Sequence, residues 1–213
     1  MTHASNVTGE VYDISKIGEI CRKKGVLFIV DCAQTAGIIP IDVQKMNIDV
    51  LCFTGHKGLF GLQGIGGIYV GPNVRIKPLL SGGTGSHSFS LKQPDELPDC
   101  FEAGTVNTHG ISALGAGVSY VTKIGIEKMC EIHTALRQYF YDEAKKMPKL
   151  DVYGGVSVGK EKPNTGIISL NVKGKDPAEV AGLLAKNGIC VRAGYHCAPL
   201  AHRTLGTDTC GGT

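Results

Sequence analysis

The 213-residue sequence contains no run of about 18 consecutive apolar residues, so no segment reads as a membrane-crossing helix. Its first residues, Met1-Thr2-His3-Ala4-Ser5-Asn6, lack the basic-then-apolar pattern of a secretion signal. It also lacks a strong charge of either sign: 22 Lys and Arg face 19 Asp and Glu, a formal excess of +3. An excess so small and dispersed argues against a nucleic-acid footprint. No CxxC pair occurs among Cys21, Cys32, Cys52, Cys100, Cys130, Cys190, Cys197 and Cys210. That argues against zinc or any other metal centre and against a disulfide framework. It favours reduced thiols in a cytoplasmic chain, most of them small core residues. The 30 glycines have no three-residue period, which excludes collagen. The phosphate-binding pattern GxxxxGK[ST] is absent as well.

What is present can fold. Hydrophobic residues make up 42% and charged residues 19%, enough for a buried core. Ile14, Ile17, Ile20 and Cys21 recur at helical spacing, and Lys23-Lys24-Gly25 supplies a basic last turn and a stop. Val26 to Val30 reads as a strand buried on both faces and ended by Asp31; Val43 to Met46 reads as a short helix. Val50 to Phe53 and Gly66 to Val70 are two further strands. Helix-separated strands of this kind predict an α/β fold with a mainly parallel sheet, in which ligands sit beyond the carboxyl ends of the strands. Ser81 to about Asp99 reads as a long loop. Ile111, Leu114, Val118 and Val121 form one apolar helical stripe, and Ile132, Leu136, Tyr139 and Phe140 another after a break near Gly125; both are expected to be core faces. Beyond about Leu150 a small α+β unit is expected: strand Gly166 to Val172, helix Pro177 to Lys186 capped by Asp176, and strand Ile189 to Arg192. His87 and His202 are expected in solvated loops, His109 as a packing or capping residue, and Cys210 as exposed.

Two short segments carry chemistry. Asp31 ends the first strand with Gln34 three residues on; an aspartate there is either a turn former or an acid held where a ligand enters the sheet. No GxGxxG turn follows, so a dinucleotide site has little support. Thr54-Gly55-His56-Lys57-Gly58 follows the second strand. Lys57 is either a solvated cation or an amine that condenses with a carbonyl, while Thr54 and His56 offer groups that hold an anion.

Taken together, Asp31-Cys32-Ala33-Gln34, Thr54-Gly55-His56-Lys57 and Gly64-Ile65-Gly66 resemble the pyridoxal-phosphate segment of fold-type I enzymes. More narrowly, they resemble the class V aminotransferase branch that contains cysteine desulfurases and selenocysteine lyases. The order continues through Phe101-Glu102-Ala103-Gly104-Thr105 to Arg192-Ala193-Gly194-Tyr195-His196-Cys197 and covers nearly the whole chain. The resemblance implies pyridoxal 5'-phosphate as cofactor. Lys57 would anchor it and move protons, Asp31 would pair with its ring nitrogen, and Gln34 and Asn6 would bond its ring oxygen. Thr54 and His56 would hold its phosphate, and Thr105 would reach the phosphate of a neighbouring subunit, which implies a homodimer. Arg192 would bind the carboxylate of L-cysteine or L-selenocysteine. Cys197 would take the sulfur as a persulfide, releasing alanine, for delivery to a sulfur-acceptor protein.

The sequence departs from the family in three places. Members carry an upstream part of the large domain, with a phosphate loop and an aromatic side chain that stacks on the cofactor, whereas Met1 here stands almost directly before Asn6. Members continue past Gly211-Gly212-Thr213 into a strand bearing a second carboxylate-binding Arg, and Tyr195 stands where His is common. The expectation is a chain truncated at both ends. Residues 1–148 would be a partial large domain and residues 149–213 an incomplete small C-terminal domain. Another class V aminotransferase or selenocysteine lyase activity, or a non-catalytic fragment, remain the alternatives.

Overall fold

The computed structural model describes residues 1–154 and 163–213. Helix α1 (Ile14–Lys24) starts where the Asp13 carboxylate accepts the Lys16 N–H and stops at Gly25, whose left-handed φ of 63° only glycine adopts freely. The chain then enters β1 (Ile29–Asp31), which pairs parallel with β2 (Val50–Thr54), register Val30 to Leu51. Strand β3 (Gly66–Val70) pairs antiparallel with β2, so the order is β1-β2-β3 and the sheet is mixed. The parallel arrangement expected from the sequence therefore holds for β1 and β2 and not for β3. The chain between β2 and β3 is too short for a crossover helix and returns instead as an antiparallel neighbour. Ile14, Phe28, Val30, Cys32, Ile48 and Leu51 form the core between α1 and the sheet.

Several expected elements come out shorter. Val26 and Leu27 lie outside β1 and are exposed; among the described residues the chain beside β1 on that side is Met1 to His3. Val43 to Met46 forms a single turn rather than a helix: Asp42 caps the Gln44 and Lys45 N–H groups, and Asn47, at φ 53°, ends it. The segment from Gly71 to Pro98 carries no helix or strand, as expected for a long loop.

Helices α2 (Thr108–Ile124) and α3 (Ile126–Lys145) are divided at Gly125, as the sequence predicts. Their stripes are core faces only in part. Val121 is buried and Leu114 is half-buried beside Gly55 and Gly61, as expected, whereas Ile111, Val118, Ile132, Leu136, Tyr139 and Phe140 are exposed; on α3 the buried residues are Met129, Arg137 and Ala144. Arg137 reaches from α3 to the carbonyls of Gly154 and Ile167, and burial lowers its pKa.

The C-terminal unit is built on β4 (Leu150–Tyr153) and β5 (Ser169–Val172), an antiparallel pair, with α4 (Pro177–Lys186) and α5 (Pro199–Leu205). Asp176 caps α4 through the Ala178 and Glu179 N–H groups, as expected. Strand β5 is the inner part of the segment predicted from Gly166. Ile189 to Arg192 is irregular: a strand needs a ladder, and these four exposed residues have none among the described residues. The N-terminal segment touches both sheets. His3 N–H donates to the Asp31 carbonyl, while Ser169 Oγ donates to the Val7 carbonyl at 2.6 Å.

Candidate active site

Asp31 and Thr54 close two adjacent parallel strands and so sit at the same carboxyl-end edge of the sheet. One Asp31 oxygen accepts the Ala33 N–H at 2.9 Å; the other has no partner among the described residues. The next residue, Cys32, is fully buried, and burial pushes its thiol up to about 11, which makes it inert. Gln34 follows on a turn held by the Thr35 and Ala36 N–H groups on the Cys32 carbonyl, and is half-buried.

Thr54 Oγ1 and His56 Nδ1 lie 2.7 Å apart, a paired hydroxyl and imidazole. Lys57 is exposed, and its amine makes no ion pair or side-chain hydrogen bond among the described residues. Two glycines bring the Lys57 loop against the Gln34 turn. A Cβ on Gly58 would lie 2.5 Å from the Ala36 carbonyl oxygen, and one on Gly37, whose φ is +82°, would overlap the Gly58 carbonyl. The backbones therefore touch where any other residue would hold them apart. This contact sets the loops that carry Gln34 and Lys57 side by side, beyond the strand ends that carry Asp31 and Thr54.

Cys197 is exposed on a tight turn in which Ala198 N–H donates to the Tyr195 carbonyl at 2.9 Å. Its central residues, His196 and Cys197, have φ of 49° and 58°. Left-handed residues with a Cβ cost about 1–2 kcal/mol each, so the turn persists only because its surroundings hold it. Gly194 and Thr213 exchange backbone hydrogen bonds of 3.0 and 3.3 Å, His196 Nε2 lies 3.2 Å from the Thr213 carbonyl, and Tyr195 donates its hydroxyl to the Asp208 carbonyl. Burial lowers the His196 pKa, neighbouring His202 and Arg192 add to that, and the Thr213 carbonyl opposes it. Asn6 Nδ2 donates to the His196 carbonyl at 2.6 Å. Since His3 bonds the Asp31 carbonyl three residues earlier, at most about 11 Å of chain joins the two anchor points.

Arg192 is exposed in irregular chain five residues before Cys197, and Thr105 lies in the exposed stretch before α2; neither side chain hydrogen-bonds Asp31, Gln34, Thr54, His56 or Lys57 among the described residues. His202 was expected in solvent and is instead fully buried. Its Nδ1 lies 2.8 Å from Thr207 Oγ1, its ring packs edge-on against Tyr195, and Nε2 has no partner among the described residues. The missed signal is Pro199-Leu200-Ala201-His202-Arg203-Thr204-Leu205-Gly206, with Pro at the start and Gly just past the end of a short helix. His109 lies in the first turn of α2, exposed, and Asn107 rather than His109 caps the helix. Of the cysteines, only Cys32 and Cys100 are fully buried; Cys190, Cys197 and Cys210 are exposed, Cys210 as expected. The expectation that most are core residues therefore fails: Cys21, Cys52 and Cys130 are half-buried, and three others are exposed. A cavity of about 1290 Å³ between α1 and α3, lined by Tyr12, Ile14, Ile39, Cys130 and Tyr139, contains none of the candidate residues.

Residues 1–211 match the aminotransferase class-V family. The chain belongs to the aminotransferase class-V family. Among class-V relatives, a probable cysteine desulfurase of Methanothermobacter thermautotrophicus is 34% identical across 100% of this chain and 53% of its own length. One from Pyrococcus abyssi is 36% identical across 92% of this chain and 49% of its own. A solved apo cysteine desulfurase of Thermococcus onnurineus superposes with a TM-score of 0.79 at 34% identity, over 96% of this chain and 51% of that one. An Escherichia coli cysteine desulfurase gives 0.84 at 29% identity, over 97% and 51%. The fold is thus the expected part of the fold-type I architecture, and the chain spans about half the length of the curated relatives it matches. No helix among the described residues is long and apolar enough to cross a membrane.

Proposed function

We propose that this class-V chain is a pyridoxal-phosphate-dependent cysteine desulfurase, taking sulfur from L-cysteine onto Cys197 and releasing alanine. The observation that carries the reading is the glycine-to-glycine contact that gathers Asp31, Gln34, Thr54, His56 and Lys57 at one sheet edge. That set fits the cofactor: a carboxylate with a free oxygen for a ring nitrogen, a hydroxyl–imidazole pair for a phosphate, and an uncommitted amine for an aldehyde carbon. Names of relatives at 34–36% identity support the same reaction class.

Pyridoxal phosphate, when bound, supplies an electron sink that weakens bonds at the substrate's α and β carbons. Asp31 holds a proton at the ring nitrogen. Thr54 and His56 bind the phosphate, with Thr105 of a second copy reaching the same group in a homodimer, and Gln34 and Asn6 bond the ring oxygen. Lys57 Nζ holds the aldehyde carbon and moves the proton at the substrate's α carbon. Arg192 clamps the substrate carboxylate through its planar guanidinium. Cys197 Sγ, as thiolate, forms a bond to the substrate sulfur as the carbon–sulfur bond breaks; the electron pair stays with the carbon, which takes a proton and leaves as alanine. The reading includes a large unit at residues 1–148 and a small one at 149–213, a cytoplasmic location, and a sulfur-acceptor protein that collects the persulfide.

The test is borohydride reduction of the purified chain with added pyridoxal phosphate, followed by peptide mass analysis. The expected result is a pyridoxyl group on Lys57 that disappears in Lys57→Ala. Labelling scattered over surface lysines, with Lys57 unmarked, would refute the assignment. Sedimentation of the chain as a monomer at all concentrations would remove the shared phosphate site.

A further inference from the structure

The turn that carries Cys197 is held on one side by its own neighbourhood. Thr213 pairs with Gly194 and His196, and Asp208 accepts the Tyr195 hydroxyl. The remaining hold comes from the opposite end of the chain. Asn6 donates to the His196 carbonyl, the oxygen of the very peptide that joins His196 to Cys197. Its anchor is stiff. Ser5 Oγ accepts the Val7 and Thr8 N–H groups, Gly9 N–H returns to the Ser5 carbonyl, and Ser169 Oγ pins the Val7 carbonyl.

We propose that Asn6 is a positioning residue for Cys197: its amide latches the His196–Cys197 peptide and couples the cofactor site to the posture of the thiol. The coupling rests on the reading that Cys197 takes the sulfur and that Asn6 adjoins the cofactor ring. An amide nitrogen carries two hydrogens. One is spent on His196, and no second acceptor is present among the described residues, so one hydrogen is left for the ring oxygen. A single planar group thereby ties the ring oxygen to the backbone of the nucleophile. Because consecutive left-handed residues do not hold themselves, losing this tie frees the turn.

Hydrogen exchange read by mass spectrometry on the whole chain tests this, first without cofactor. Asn6→Asp keeps the shape but sets a carboxylate against the His196 carbonyl. Amides of residues 194–198 are expected to exchange about tenfold faster in that variant, with β1 and β2 unchanged. Asn6→Gln, which retains a donor on a longer arm, should fall between. Unchanged exchange at 194–198 in Asn6→Asp overturns the latch, and acceleration spread through β1 and β2 overturns it in favour of a general structural role. Adding pyridoxal phosphate should slow exchange at 194–198 in the natural chain and not in Asn6→Asp. Cofactor bound at Lys57 with no change at 194–198 overturns the coupling. If no cofactor binds at all, the coupling falls together with the functional reading, while the cofactor-free comparison still decides the latch.

Discussion

His3 shows how one side chain sets the pH response of the molecule. It lies buried beneath the end of β1 with Nδ1 2.9 Å from Thr35 Oγ1, and burial lowers its pKa from 6.5 to about 4. The folded chain therefore keeps it neutral where the unfolded chain already holds a proton. With the folded value below the unfolded one, the stability it contributes is complete above about pH 6.5. That stability is lost as the pH falls through about 4, a change on the order of 3 kcal/mol. His133 and His196, also lowered chiefly by burial, act in the same direction. Urea unfolding followed from neutrality down to about pH 4 should show falling stability, with a shallower fall in His3→Gln. An identical slope in the two proteins would contradict the assignment.

Among the elements, the two loops leaving β1 and β2 matter most, because their backbone contact brings the Lys57 segment to Asp31. Gly37→Ala puts a Cβ into the Gly58 carbonyl and forces a φ of +82° on a residue that resists it. A loss of at least about 1–3 kcal/mol is expected in chemical unfolding, together with weaker retention of pyridoxal phosphate. Unaltered stability and retention would show that the contact does not hold the site together.

How much of these elements can be read from the sequence depends on where each one finds its order. Helix α1 is legible because Asp13, the Ile14–Ile17–Cys21 stripe and Gly25 are local signals. The ends of β1 and β2 are legible for the same reason, and with them Asp31, Thr54, His56 and Lys57. The failures have non-local causes. Val26 and Leu27 have strand-like side chains but no neighbouring strand among the described residues, Ile189 to Arg192 likewise, and much of the apolar stripes of α2 and α3 is exposed, Val121 and Leu114 apart. The burial of His202 is not legible because it comes from packing against Tyr195 and His196 in a turn whose left-handed backbone no residue type announces.

At the scale of the whole molecule, the N-terminal segment works as a strap. It reaches the first sheet through His3 and Asp31, the second sheet through Val7 and Ser169, and the thiol turn through Asn6 and His196. Lys57 follows β2 of the first sheet and Cys197 lies beyond the second sheet, and the strap joins these regions together with Arg137 of α3, which reaches the Gly154 and Ile167 carbonyls. The long loop after β3 carries Leu79, Phe89 and Leu91 almost wholly exposed. Such a surface suits the second copy that the proposed shared phosphate site would require.

The central claim is that Lys57 and Cys197 serve one reaction. The direct measurement is the mass of the Cys197 peptide after the chain is incubated with pyridoxal phosphate and L-cysteine. The account predicts one additional sulfur on Cys197, alanine released in step with it, and neither in Lys57→Ala. Extra sulfur distributed equally over Cys190 and Cys210, or persisting without Lys57, would contradict it.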